Sequence, residues 1–154
     1  MNKINSKLFK LAMSKFATCV TIVTINKKEK FIGKTVNSFA ALSLKPPLVL
    51  FALNKKSTYL KDYKNCIFLG INILSKQQSD LSTNFSNKKP KWKNTKYFLT
   101  NNNTPMIKDC IVNLDCQKNQ TINQGDHIIF ICKIINIKIN QKKNPLIYLN
   151  SKYI

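Results

Sequence analysis

Residues 127–139 hold seven isoleucines in thirteen positions, with no proline and no glycine. β-Branched side chains lose rotamer freedom in a helix and pack well on a pleated surface, so this run reads as one long strand. Immediately before it stands Asn123-Gln124-Gly125-Asp126, a hairpin turn whose glycine can take a positive φ. Before the turn, Cys110 to Ile122 alternates loosely and reads as the partner strand. The run therefore predicts a long antiparallel hairpin in the second half of the chain.

The first half repeats the pattern in shorter pieces. Thr18 to Ile25 is almost wholly β-branched, Asn26 to Lys30 is a polar turn, and Phe31 to Asn37 is a second strand closing another hairpin. Leu48 to Leu53 and Cys66 to Leu74 are apolar runs of buried-strand length, and Leu146 to Leu149 is a last short one. Ser38 to Leu44 shows no clear period, and Lys45-Pro46-Pro47 is a rigid break. Three segments read as helices. Residues 6–17 carry Phe9, Ala12, Met13 and Phe16 on one stripe with Ser6 as cap; Ser57 to Lys64 is capped by Ser57 or Thr58; Ser75 to Phe85 turns Leu81 and Phe85 inward. Residues 86–109 lack a period and read as a loop. About seven strands joined mainly by turns predict a mainly β chain, an antiparallel barrel or sandwich forming a single domain over 1–154.

Composition narrows the function. With 154 residues, 44% of them apolar, the chain can bury a substantial core. It has no apolar run of 18 residues, so no membrane span is expected. Lysines interrupt the first sixteen residues, which argues against a signal peptide. Five cysteines without a C-x-x-C pair predict neither a disulfide framework nor a zinc site, and fit a reducing cytoplasm. All 26 basic residues are lysine, giving a net charge of +20. Lys, Asn and Ile together make up 65 residues; their A/T-rich codons explain the excess as compositional drift. The lysines are scattered and arginine is absent, so no specific nucleic-acid partner is expected. A basic nucleic-acid-binding barrel remains an alternative. The charge should still attract small anions such as nucleotide phosphates.

The usual catalytic signatures are missing: no glycine-rich dinucleotide loop, no P-loop, no G-x-S-x-G and no H-E-x-x-H. A single histidine excludes a multi-histidine metal centre, so no metal site is expected. An enzyme built on this chain takes its chemistry from a cofactor. The informative stretches are Gly33-Lys34-Thr35-Val36-Asn37-Ser38-Phe39, Leu42-Ser43-Leu44-Lys45-Pro46-Pro47-Leu48 and Asn54-Lys55-Lys56-Ser57-Thr58. They are joined by Phe16 to Thr24, Leu69-Gly70-Ile71-Asn72-Ile73-Leu74, Gln78 with Leu81 and Phe85, Gly125-Asp126-His127, and Pro145-Leu146-Ile147-Tyr148. In this order and spacing, from about residue 8 to 153, they resemble the flavin reductase family, small FMN-binding split-barrel proteins that reduce flavin with NAD(P)H.

The resemblance implies an antiparallel split β-barrel of Greek-key type with short flanking helices. It implies hydride transfer from NADH or NADPH to FMN or FAD, with nicotinamide C4 brought to about 3–3.5 Å from flavin N5. A homodimer and a partner monooxygenase that takes the reduced flavin are also implied; a flavin-binding electron carrier of the same fold is the alternative. Thr35, Val36, Asn37 and Ser38 offer short polar groups and backbone to the flavin ring, and Ser43 belongs to the same stretch. Asn54, Lys56, Ser57 and Thr58 form a phosphate site, the last two at a helix N-terminus. Phe85 is a pocket wall. His127 is the candidate catalytic residue, positioning the nicotinamide or holding the amide and phosphates of NAD(P)H. Cys19 and Cys132 are read as buried small side chains.

Overall fold

A computed structural model describes residues 5–154. The chain runs α1 (Ser6–Ser14), β1 (Thr18–Cys19), β2 (Thr21–Lys27), β3 (Lys30–Val36), β4 (Ala40–Ser43), β5 (Leu48–Asn54), α2 (Leu60–Asn65) and β6 (Phe68–Ile73). A 3₁₀ turn at Lys76–Gln78 leads into α3 (Ser79–Ser86). Then come β7 (Tyr97–Leu99), β8 (Pro105–Ile107), β9 (Val112–Gln124), β10 (His127–Ile139), β11 (Ile147–Leu149) and β12 (Lys152–Tyr153).

Seven strands form one antiparallel sheet in the order β3-β2-β6-β9-β10-β5-β4. The β9–β10 hairpin is its spine, turning at Gly125 with φ +55°. The sheet curls around a core in which Phe51 and Phe130 stack with centroids 4.9 Å apart. Beside them Tyr63, fully buried, donates its hydroxyl to Val23 O at 2.8 Å. A second cluster, Val20, Ile22, Leu74, Phe85, Ile107 and Leu146, lies under α3. Strands β3 and β4 are the free edges of the curled sheet. The Ser38 hydroxyl donates to Ala52 O at 3.0 Å and accepts from Ala52 N–H at 2.9 Å. It thereby stands in for a strand partner and pins the chain beyond β3 to β5. The result is a split barrel whose seam opens between the ends of β3 and β5.

Several local expectations are corrected. The run 18–25 is two strands: Val20 bonds Leu146 O and Leu74 N–H, so β1 pairs with β11 while β2 pairs with β3 and β6. The cap of α1 is Asn5, whose Oδ1 accepts from Leu8 N–H at 2.9 Å, not Ser6. The apolar stripe of α1 exists but none of the helix is buried. The presumed loop 86–109 contains the hairpin β7–β8, and β8 is wholly buried. It is held by Asn72, whose Oδ1 accepts from Ile107 N–H at 2.9 Å and from Asn113 Nδ2 at 2.8 Å. Asn72 Nδ2 in turn donates to Ile22 O at 2.9 Å, so a fully satisfied buried amide ties β8 to β2, β6 and β9. Among the described residues no helix is long and apolar enough to cross a membrane.

Candidate functional site

A cleft of about 350 Å³ opens at the seam of the barrel. One side is the end of β3 and the chain after it, Lys34, Thr35, Val36, Asn37 and Ser38. The other is the end of β5 and the turn beyond it: Ala52, Leu53 and Asn54, then Lys56, Ser57 and Thr58. Lys88 and His127 complete the lining.

The turn is built by Asn54. Its Oδ1 accepts from Lys56 N–H at 2.8 Å, and its carbonyl accepts from Ser57 N–H at 2.9 Å, an Asx turn closed by its own side chain. Lys55 points away and clamps the turn to the β9–β10 connection. Its N–H donates to Asp126 O at 2.9 Å and its Nζ to Gly125 O at 2.7 Å. Register places His127 opposite Asn54, so the histidine arrives beside the turn. His127 Nδ1 lies 2.7 Å from Asp126 Oδ1. That hydrogen bond holds the Asp126 carboxyl below its usual range and leaves Nε2 free. No protein acceptor meets the hydroxyls of Ser57 and Thr58, the Thr58 N–H or the Lys56 ammonium among the described residues. The Asn37 amide is exposed and also without a protein partner among them.

The β3 side is set by how closely α3 approaches. A Cβ on Gly33 would lie 2.5 Å from Phe85 Cε1, so only glycine lets the ring lie against β3 at this distance. The close approach lets Thr35 Oγ1 donate to Ser82 O at 2.7 Å and Lys34 Nζ donate to Ser86 O at 2.6 Å. Burial lowers the Lys34 pKa.

All the site residues read from the sequence line this cleft except Ser43 and Phe85. Ser43 ends β4 opposite Leu48, at the far end of that strand pair from the cleft. Phe85 is fully buried, packed on Gly33 and edge-on to Trp92 at 5.1 Å; it is core rather than pocket wall. Ser57 and Thr58 do not start a helix, because α2 begins at Leu60 and its cap residue Tyr59 makes no side-chain bond. What they offer an anion is a turn with free hydroxyls. The hydroxyl hydrogens of Thr35 and Ser38 are spent on protein carbonyls, so these side chains present lone pairs to the cleft rather than donors. Cys132 is buried as expected, whereas Cys19 is exposed. The sequence reading missed Lys34 and Lys88. Lys34 lies within the Gly33–Phe39 stretch; Lys88 sits in a stretch with no period to mark it.

Residues 13–154 match the flavin reductase like domain. The chain belongs to this family. Among its relatives is an FMN reductase (NADH), SmoA, of Agrobacterium fabrum, 32% identical over 131 residues that span 85% of this chain and 75% of that protein. Another is the reductase subunit HsaB of a flavin-dependent monooxygenase of Mycobacterium tuberculosis, 27% identical over 98% of this chain and 82% of that one. The solved structure of flavin reductase PheA2 in its native state superposes with a TM-score of 0.90 at 34% identity, covering 98% of this chain and 97% of that one. The flavin reductase split barrel expected from the sequence is thus the fold observed.

Proposed function

We propose that the protein is an NAD(P)H:flavin oxidoreductase that binds its flavin in the seam cleft and, like the relative named as a monooxygenase subunit, supplies reduced flavin to a partner oxygenase. The observation that carries this reading is the turn at Lys56–Thr58, which brings an ammonium and two hydroxyls, none with a protein partner among the described residues, to a cleft lined by strand-end polar groups. Unpaired donors around a cleft fit a phosphate such as that of FMN, a monoester when FMN is free and one half of a diphosphate within FAD. The flavin, when bound, supplies the hydride acceptor for the nicotinamide. Asn37 reaches the cleft with a free amide suited to the polar edge of the ring. Thr35 and Val36 contribute backbone, fixed by the Thr35 bond to α3. Asn54 acts through the turn it closes. His127 touches the same cleft from the β10 side, its free Nε2 suited to a carboxamide or phosphate of NADH or NADPH. We assign it as a positioning residue, since hydride transfer needs no general base.

The whole chain acts as one unit in this reading, and as a homodimer. Support for the dimer comes from α1 and the chain just after it, where Phe9 is 58%, Met13 52% and Phe16 71% exposed. These side chains line a neighbouring cavity of about 460 Å³ that shares Asn37 and Ser38 with the cleft. A second copy packed on that face would cover apolar area and border the flavin site together.

The test is steady-state NADH oxidation with and without added FMN, beside flavin binding by Ser57→Ala/Thr58→Ala. Flavin-dependent turnover is expected. The double variant should lose FMN affinity by about 1–3 kcal/mol, with riboflavin, which lacks the phosphate, unaffected. Turnover independent of added flavin, or equal loss for both flavins, would overturn the reading.

A further inference from the structure

The cleft holds a second set of cations that the turn at Lys56–Thr58 does not account for. Lys34 comes from β3 and Lys88 from the chain just after α3. Lys34 is half-buried, and its Nζ donates to Ser86 O at 2.6 Å and to Asn87 O at 3.5 Å, the free carbonyls at the end of α3. An ammonium has three donors, and two carbonyls leave one for the cleft. Lys88 donates to no protein group among the described residues and is exposed. Neither lysine is paired with a carboxylate; the Lys–carboxylate pairs among the described residues are Lys27–Asp62 and Lys143–Asp109. A half-buried charge without a counter-ion is costly, and an anionic ligand in the cleft would remove that cost.

We propose that Lys34 and Lys88 form a second phosphoryl subsite on the β3–α3 side of the cleft, taking one phosphate of a dinucleotide diphosphate while the turn at Lys56–Thr58 takes the other phosphate in the cleft. The inference rests on the flavin-site reading above. The shared chemistry is a diphosphate diester, which FAD and NAD(P)H both carry. A mononucleotide such as FMN fills only the turn. Lys34 has a double function here: it caps α3 and touches the ligand, so the end of α3 and the subsite are set by one side chain. Gly33 makes this placement available, because a side chain there would push Phe85 and α3 out of reach of the Lys34 ammonium.

The experiment compares wild type with Lys34→Met, Lys34→Arg and Lys88→Met, using riboflavin, FMN and FAD binding and the KM for NADH against that for reduced nicotinamide mononucleotide. Lys34→Met should weaken FAD, or raise the KM for NADH, by roughly tenfold. FMN, riboflavin and the mononucleotide should move less than twofold, and Lys34→Arg should keep most of the dinucleotide preference. A change confined to FAD assigns the subsite to the flavin, and one confined to NADH assigns it to the reductant; either supports the proposal. Lys88→Met removes no bond of the fold and should act in the same direction, so it carries the test if Lys34→Met fails to fold. Equal loss for riboflavin, equal loss for FMN, or no change for either dinucleotide overturns the proposal. A wild-type protein that binds FMN, with variants unchanged, refutes this inference alone. A wild-type protein that binds no flavin refutes the reading beneath it as well.

Discussion

Gly33→Ala should destabilise the protein and loosen the cleft together. A Cβ there would sit 2.5 Å from Phe85 Cε1, 2.6 Å from Phe85 Cδ1 and 3.4 Å from Trp92 Cζ2. Carbon atoms prefer about 3.5–4.0 Å, so the overlap with the Phe85 ring is about 1 Å. Phe85 is fully buried and wedged edge-on against Trp92, so the ring cannot swing aside and α3 must move. Overpacking costs about 1–3 kcal/mol, at the upper end of about 2–3 where the ring cannot yield, and the loss of glycine's unfolded-state freedom returns about 0.4–1 kcal/mol. The net of about 1–2 kcal/mol corresponds to a fall in Tm of about 2–8 °C for a chain of this size. Moving α3 also stretches the Thr35–Ser82 bond, which fixes the β3 backbone offered to the ring, so FMN affinity should drop in parallel. Calorimetry and flavin titration measure the two effects. Phe85→Leu in the Gly33→Ala background makes room and should recover part of both, a favourable coupling between the sites. An unchanged or raised Tm in Gly33→Ala, or no coupling to Phe85, refutes the reasoning.

Two further outcomes follow from the site and from the buried thiols. His127→Ala should slow reduction of bound flavin or raise the KM for NADH, a loss of about tenfold to a hundredfold in kcat/KM, about 1.4–2.7 kcal/mol; rapid mixing at several NADH concentrations checks this, with flavin affinity nearly constant. Burial pushes the thiols of Cys66 to about 11 and of Cys110 and Cys132 to about 12, above the ordinary 9.0. In the folded protein they stay protonated while the unfolded chain loses those protons, so their contribution is complete below about pH 9 and stability falls as pH rises from there toward 11–12. Denaturant titrations across that window check the slope, and thiol labelling at neutral pH should find the exposed Cys19 first.

The long hairpin was legible because its signal is local: an isoleucine run, a glycine turn and an alternating partner reproduce β9 and β10 within a few residues. The break between β1 and β2 was not, since both halves are β-branched and the switch at Val20 is set by partners 54 and 126 residues away, Leu74 and Leu146. Ser57 has the right side chain to cap a helix, yet the Asn54 side chain closes a turn first and α2 starts only at Leu60. Strand β8 is three residues long, too short for a period to show, and its burial depends on an asparagine in another strand. The sequence signal groups residues that meet in one cleft where a single segment supplies several of them, as at 35–38 and at 54 and 56–58. Phe85 was misassigned because its partner, Gly33, becomes visible only as a contact. Lys88 reaches the cleft through the end of α3 and carries no sequence mark.

A flavin held in the seam cleft where NADH can reach it must be reduced there. Anaerobic rapid mixing of the flavin-loaded protein with NADH tests this most directly. The yellow absorbance of oxidised flavin should bleach in one NADH-dependent phase, and NADH deuterated at the transferred C4 position should slow that phase. A protein that takes up no flavin, or a bound flavin that stays oxidised in excess NADH and NADPH, would rule out flavin reduction in this cleft.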